Sequence, residues 1–288
     1  MEADTFTQSI GIKMGKSIGW INDQWGSPSD LRIPIQDRGL TLGDGIFETI
    51  LIFHGQPKLL REHLKRWEKT AFSLGMQKPP KEKWLISIIN EGVKKLSLEQ
   101  RNGILRLNWS RGDSLDRGIN LPTSHVAPNH RFWLEIHTGD PDFNHVSTII
   151  SSKERRNAYS SLSHCKTFAY NEAIQARREA MIAGADDALL LSTTGEVCCG
   201  STSNLIIQRK DKWLTPPLES GCLPGIMRAQ ALRQGLASEE YIEAEPKEGD
   251  QWLLINSLGC KPITQLNGKL LKIFPKAKEL WLSLLDNK

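Results

Sequence analysis

The segment between residues 164 and 228 places the strongest constraint on the fold, because helix and strand signals alternate along it without a break. Small residues at 173, 176, 180 and 183 share one face of a predicted helix over 171–183, which Gly184 ends. The apolar run 188–191 predicts a buried strand, and the turn at 193–196 leads into a second strand at 197–199. Gly225 then opens another helix. This part of the chain is therefore expected to pack helices on paired strands.

Mixed signals continue through the rest of the chain. Strands are predicted at 45–53, 104–109 and 132–136, and helices at 60–75, 84–96 and 277–285. The sequence HGQPK after residue 53 and the Asn267-Gly268 pair predict hairpin turns. Residues 111–130 lose apolar periodicity and gather Gly, Pro, Asp and Asn, which is typical of a linker. We therefore predict an α+β chain with two α/β domains, residues 1–120 and 131–288, joined by a linker at 121–130.

Composition narrows the functional classes. The longest apolar runs are far too short to span a bilayer, and residues 1–15 lack the apolar block of a signal peptide. A net charge of +4, with acids and bases interspersed, favours an anionic small ligand over nucleic acid. The five cysteines are an odd number that includes an adjacent pair, which is typical of reduced thiols. We therefore expect a cytoplasmic protein without nucleic-acid or membrane partners.

Lys166 is the candidate catalytic residue, because it precedes a helix and has no cluster of charged neighbours. A desolvated lysine has a lowered pKa and is a nucleophilic amine. The helix start at Gly225 offers free N–H groups to a phosphate, the polar turn at 201–204 offers hydroxyls, and Arg66 lies beside the apolar stripe of its helix. Each feature alone has a simpler explanation as a solvated side chain, helix start or turn. Metal-site, P-loop and esterase motifs are missing from the sequence, so we expect no metal.

Together these residues resemble the class IV aminotransferases, the fold-type-IV pyridoxal-phosphate (PLP) enzymes. That family includes branched-chain and D-amino-acid aminotransferases and 4-amino-4-deoxychorismate lyase. The resemblance runs from DRGLTLGDGIFET at residue 37 to NSLGCKPI at residue 256, through motifs that agree in order and spacing at five places. It implies a D-amino-acid aminotransferase-like fold with PLP in the interdomain cleft, and a homodimer.

The same resemblance assigns roles to individual residues. Lys166 would be the Schiff-base lysine, and Arg66 would hold the phosphate together with the backbone amides of Ile226 and Met227. Leu223 would pack under the pyridine ring. The other residues implied in cofactor binding are Cys199, Ser203, Asn204, Gly225 and Ser257.

Several residues favour the lyase over the aminotransferases. Leu40 stands where aminotransferases usually carry Tyr, and Met227 stands where they usually carry Thr. The run SRGDSLDRGIN resembles a lyase element, so Arg111 and Arg117 are the candidate anchors of substrate carboxylates, and Asn256 begins a lyase-like NSL. The resemblance therefore predicts conversion of 4-amino-4-deoxychorismate to 4-aminobenzoate and pyruvate. A branched-chain or D-amino-acid aminotransferase is the alternative.

Cys199 departs from the family pattern. The family motif reads G-x-V-x-E, and its Glu binds the pyridine nitrogen; counting from Gly195 puts Cys199 at that position. Glu196 is three residues earlier, and an odd offset along a strand places it on the opposite face. A neutral thiol holds the proton of the nitrogen less well than a carboxylate does. We therefore expect transamination to suffer more than an aromatising lyase reaction. A PLP-binding protein with weakened catalysis is a further alternative.

Overall fold

A computed structural model describes residues 15–113, 118–121 and 130–285 of the chain. In this part of the chain, the first six strands form one antiparallel sheet in the spatial order β2-β1-β6-β5-β3-β4. Its strands are β1 (Ser17–Ile21), β2 (Gln24–Gly26), β3 (Gly45–Phe53), β4 (Gln56–Pro57), β5 (Gly103–Ser110) and β6 (Arg131–Thr138). The helices of this region are α1 (Arg38–Leu42), α2 (Leu60–Ser73) and α3 (Glu82–Lys95).

The first sheet buries one face under α2 and α3. Trp67 of α2 and Ile89 of α3 belong to the same apolar core as Ile50 of β3 and Leu105 of β5. Successive side chains of a strand point to opposite faces. The residues between these core positions, including Thr49 and its cross-strand partner Arg106, therefore face away from the helices.

The second sheet is built from the remaining nine strands of the described chain. It runs in the order β12-β11-β10-β13-β14-β7-β8-β9, and β9 pairs again with β10, so that the sheet closes on itself. Its strands are β7 (Val146–Arg156), β8 (Asp187–Ser192), β9 (Val197–Gly200), β10 (Asn204–Arg209), β11 (Lys212–Thr215), β12 (Ala237–Glu239), β13 (Gln251–Asn256), β14 (Gly259–Leu266) and β15 (Lys269–Leu270). Its helices are α4 (Asn171–Ile182), α5 (Ile226–Arg233) and α6 (Ala277–Ser283).

The closed sheet has an apolar interior and helices outside it. Leu189, Leu205 and Trp252 meet in the interior, and all three are buried. On the outside, α4 packs through Ala176 and Ala180 against β8, as the small-residue stripe predicts. The parallel pairing of β7 and β8 requires a crossover, and α4 provides it.

The predicted helices and hairpins are observed, and the α+β class is confirmed. The helices predicted at 60–75, 84–96, 171–183 and 277–285 correspond to α2, α3, α4 and α6 with ends shifted by at most two residues. Asn267-Gly268 forms the turn between β14 and β15. In the described segments, no helix has the length and apolar character needed to cross a membrane.

The strand predicted at 132–136 requires a correction. It is observed as β6, but it lies between β1 and β5 in the first sheet and not in the second half of the molecule. Its apolar residues Phe132, Leu134 and Ile136 complete the core under α2 and α3, which explains this pairing. The chain passes from the first sheet to the second at 139–145. Most of the predicted linker at 121–130 lies outside the described residues.

Candidate active site

A cavity of about 700 Å³ opens between the two sheets. Phe47, Thr49 and Arg106 reach it from the first sheet, because alternation along β3 and β5 directs them away from the helices. Cys199 and Asn204 reach it from β9 and β10 of the second sheet. The cavity therefore depends on the packing of both sheets.

Lys166 is held by an extended segment that pairs with the start of β3. The Phe47 N–H donates to the Lys166 carbonyl at 3.0 Å, and the Phe168 N–H donates to the Gly45 carbonyl at 2.9 Å. The Lys166 amine donates to the Tyr170 hydroxyl at 2.9 Å and lies 4.2 Å from the centroid of the Phe47 ring. Burial lowers the pKa of Lys166, which Tyr170 partly opposes. A larger fraction of this amine is therefore neutral and nucleophilic than in a lysine of ordinary pKa.

Arg66 is fixed by a buried carboxylate that sequence reasoning missed. Its guanidinium donates to both oxygens of Glu48, at 2.8 and 2.5 Å, and to the Pro224 carbonyl at 3.1 Å. Burial raises the pKa of Glu48, but Arg66 and His63 outweigh it and lower the pKa to about 2. Glu48 is therefore ionised and acts only as an acceptor. A charged residue in the apolar run GIFETILIF is the sequence signal for such a buried pair.

His63 extends this network to the cavity. Its Nδ1 lies 2.7 Å from a Glu48 oxygen and its Nε2 lies 3.2 Å from the Ser257 hydroxyl. Burial lowers the pKa of His63 despite the raising effect of Glu48. The neutral ring therefore donates through Nδ1 to the carboxylate and accepts from Ser257 through Nε2.

The start of α5 forms the second part of an anion-binding corner. Gly225 caps this helix without a side-chain hydrogen bond, and the first N–H groups of a helix have no partner within it. The Asn204 amide donates to the Leu223 carbonyl at 2.9 Å. A Cβ atom on residue 225 would lie 1.8 Å from the Asn204 Oδ1, so only glycine fits. Arg66, contacting Pro224, brings a cation to the same helix start.

Arg106 is a second residue that sequence reasoning missed. Its guanidinium lies 3.7 Å from the Phe47 ring centroid, and its Nε donates to the Asn108 side chain at 2.8 Å. It forms no ion pair with a carboxylate of the described residues; burial lowers its pKa, against the raising effects of Tyr170 and of its cross-strand neighbour Glu135. In the sequence, Arg106 stands between two core leucines in GILRLNWS, so alternation along the strand directs it to the opposite face of the sheet. It is therefore a half-buried cation in the cavity wall that is available to an anionic ligand.

Cys199 lies in the cavity wall at 7% exposure, opposite Leu190 on β8 and Asn204 on β10. A bulge in the pairing of β8 and β9 leaves Cys198 without a cross-strand partner. Glu196 is outside the cavity lining and accepts from Thr194 and Ser220. It therefore does not take the place of the expected carboxylate at position 199.

Most predicted site residues are brought together by the fold. The cavity wall contains one predicted catalytic residue and nine other residues predicted to bind cofactor or substrate, and their individual binding roles stay predictions. They are Arg66, Lys166, Cys199, Ser203, Asn204, Leu223, Gly225, Ile226, Asn256 and Ser257.

Three predicted residues are placed elsewhere, and a fourth is not described. The Met227 side chain is buried in the core, which leaves only its backbone amide for the predicted role. Leu40 is 66% exposed and is not part of the cavity lining. Arg111 donates to Asp44 at 2.8 Å and to the carbonyls of residues 74 and 75 and, unlike Arg66, is not part of the cavity lining, so the prediction of a substrate anchor there is corrected. Arg117 lies outside the described residues.

Known proteins resemble this chain in sequence and fold. It is 24% identical to the aminodeoxychorismate lyase of Bacillus subtilis, over 86% of this chain and 86% of that protein. It is 29% identical to the D-alanine aminotransferase of Bacillus licheniformis, over 80% of this chain and 78% of that protein. A PLP-bound aminotransferase structure from Mycobacterium tuberculosis, described as hypothetical, has the same fold with a TM-score of 0.79. It is 21% identical and covers 94% of this chain and 99% of that one.

The cavity suits the phosphate and the aldehyde of PLP but not its ring nitrogen. Arg66 and the α5 start suit its phosphate, with glycine required at position 225. The Lys166 amine, whose pKa burial lowers, suits its aldehyde. The Cys199 thiol does not supply a carboxylate for its ring nitrogen. No cluster of metal-binding side chains occurs among residues 15–113, 118–121 and 130–285.

The profile of one family covers most of the chain. The family described as "Amino-transferase class IV" matches residues 45–266, which run from β3 to the end of β14 and include the whole cavity wall. PLP is the cofactor of this family. The chain is therefore a PLP-dependent enzyme of the class IV aminotransferase family.

Proposed function

We propose that this chain is a lyase that converts 4-amino-4-deoxychorismate to 4-aminobenzoate and pyruvate, a step of folate biosynthesis. The observation that carries the proposal is the Arg106 guanidinium in the cavity that contains Lys166. The substrate has two carboxylates, and a half-buried cation that forms no ion pair with the described residues favours binding of one of them. Similarity to the Bacillus subtilis lyase over 86% of both chains supports the assignment.

The residues around Lys166 can perform the proton transfer that this reaction needs. PLP, when bound, withdraws electrons from the substrate. Lys166, whose pKa burial lowers, accepts the proton from the substrate C4. The Tyr170 hydroxyl, 2.9 Å from the amine, fixes its position, and the Phe47 ring excludes water from one side. Loss of pyruvate then leaves an aromatic product.

An aminotransferase is the second candidate. The 29% identity to the D-alanine aminotransferase of Bacillus licheniformis supports it over a comparable length of chain. Arg106 would then bind a carboxylate of an amino acid or a keto acid. The lyase remains our proposal because position 199 has no carboxylate, and transamination needs the stronger electron withdrawal that a carboxylate promotes.

The test compares the two activities in the same preparations. Purified protein with PLP receives aminodeoxychorismate, and 4-aminobenzoate is measured by fluorescence; D-alanine or a branched-chain donor with a keto acid tests transamination. We expect 4-aminobenzoate from the wild type and none from Lys166→Ala. Arg106→Leu should lower kcat/KM roughly 30- to 1,000-fold, which corresponds to about 2–4 kcal/mol of transition-state free energy, since it removes the charge partner of a substrate carboxylate. Arg101→Leu, at an exposed position in the bend just before β5, is the matched control.

The outcomes separate the candidates. Transamination that depends on Lys166, without 4-aminobenzoate, would establish the aminotransferase. If the protein shows neither activity, a PLP-binding protein with weakened catalysis is favoured. Equal lyase rates in the Arg106 and Arg101 variants would refute the role of Arg106.

A cytoplasmic homodimer is also part of this proposal. Light scattering of the purified protein should give twice the mass of one chain, and fractionation of the source cells should recover it with cytoplasmic enzymes. A monomeric mass would contradict the dimer.

A further inference from the structure

The charges around the cavity are mostly positive. Among the described residues, its wall contains four cationic side chains and one carboxylate, which belongs to Glu172 of α4. The Glu172 carboxylate accepts from the Arg156 guanidinium at 3.0 Å. Glu48, the partner of Arg66, lies behind the wall and is not part of the lining. The four cations are Arg66, Arg106, Arg156 and Lys166.

Cys199 lines the same cavity as one of these cations, Arg156. Arg156, at the end of β7, donates to Glu172 and to the carbonyls of Ser163 and Gly221, at 2.8 and 3.2 Å, which fixes its guanidinium in the wall. Burial lowers the pKa of Arg156, but the groups around it, among them the paired Glu172 carboxylate, raise it overall, so the guanidinium is a cation.

The other elements packed against Cys199 bring no free carboxylate. Its cross-strand partners are the apolar Leu190 and the uncharged Asn204. The remaining neighbours in its apolar cluster are alanines, Ile149, Leu218 and two further thiols. The titratable and charged groups that face Cys199 are Arg156, Glu172, Cys198 and Cys222.

We propose that this chain holds PLP with an unprotonated pyridine nitrogen, with the Cys199 thiol and the Arg156 cation in the place of a carboxylate. A nearby positive charge disfavours protonation of a basic nitrogen, whereas a carboxylate favours it. A thiol is a weak hydrogen-bond donor, which an unprotonated nitrogen can accept from. The inference rests on the cofactor placement of the proposed function and deepens it.

This electrostatic environment restricts the substrates. An unprotonated ring withdraws electrons less strongly from a bound substrate. A reaction that depends on this withdrawal therefore needs another source of driving force. Formation of an aromatic ring provides it, and transfer of an amino group to a keto acid does not. The site therefore selects substrates that become aromatic when they lose a small anion.

Nuclear magnetic resonance of the bound cofactor tests the inference directly. The protein is loaded with PLP labelled with nitrogen-15 in the ring, because protonation of a pyridine nitrogen moves its resonance far upfield. We expect the downfield, unprotonated position in the wild type and in the matched control Cys199→Ser at neutral pH. Cys199→Glu should move the resonance upfield, and its amino-group transfer from D-alanine should rise at least tenfold.

Each result decides a different point. An upfield resonance in the wild type overturns the inference and leaves the lyase proposal standing. A downfield resonance in folded Cys199→Glu shows that residue 199 does not control the nitrogen and also overturns it. If no bound resonance is found in the wild type, the cofactor placement itself fails, together with the proposed function. The wild-type spectrum is decisive even where a buried glutamate prevents folding of the variant.

Discussion

Replacing Glu48 with glutamine tests the buried network that holds Arg66. The side chain is 1% exposed and keeps three short contacts, two to Arg66 and one to His63. Glutamine preserves the shape and removes the charge. We expect Glu48→Gln to unfold more easily, because the Arg66 guanidinium, only 10% exposed, loses its counter-charge.

The size of the effect follows from the pKa of Glu48. A shift from 4.5 to about 2 corresponds to about 3 kcal/mol of unfolding free energy. Because the pKa is depressed in the folded protein, this stability is present above pH 4.5 and is lost as the pH falls towards 2. About 1 kcal/mol of it should be gone by about pH 4.

Urea unfolding followed by circular dichroism measures this difference at neutral pH and at about pH 4. The matched control is Glu245→Gln, whose carboxylate is 77% exposed and paired with Lys269, and which should not change stability measurably. The electrostatic argument is refuted if Glu48→Gln loses the same free energy at both pH values, or if its loss equals that of the control.

Three further substitutions probe the cavity and its surroundings. Tyr170→Phe removes the hydroxyl that raises the pKa of Lys166. The acid limb of the pH–rate profile should therefore move to lower pH; an unchanged limb would show that this hydroxyl does not raise the pKa of Lys166. Gly225→Ala forces a Cβ into Asn204 and should weaken PLP binding at least tenfold, about 1.4 kcal/mol, in a fluorescence titration; unchanged affinity would refute the close fit. Arg111→Met should cost about 3 kcal/mol of stability with kcat/KM unchanged; a raised KM at full stability would restore its role as a substrate anchor.

Local patterns predicted the elements of the fold and part of the site. The helix α4 could be read from its alanine spacing, and the glycine at 225 from its place at a helix start. The Lys166 amine lies in the cavity wall because the segment before α4 pairs with β3. These features depend on neighbours in sequence, which a single chain displays directly.

Long-range pairing could not be predicted in the same way. The sheet that contains β6 is decided by its partners β1 and β5, and the closure of β9 on β10 depends on the curvature of the whole second sheet. Arg111 and Arg106 illustrate the consequence for the site. Both are arginines on or beside β5, and only the fold shows that one is occupied by Asp44 and the other faces the cavity.

The two backbone hydrogen bonds between the Lys166 segment and β3 have a mechanical consequence. They attach the chain that bears the amine to the first sheet, although the helix that follows it packs on the second. Sliding of one sheet past the other would have to break them or displace the amine relative to Cys199. Motions that preserve these two hydrogen bonds therefore keep the amine at a fixed place relative to β3, so the first sheet sets the position of the amine in the cavity.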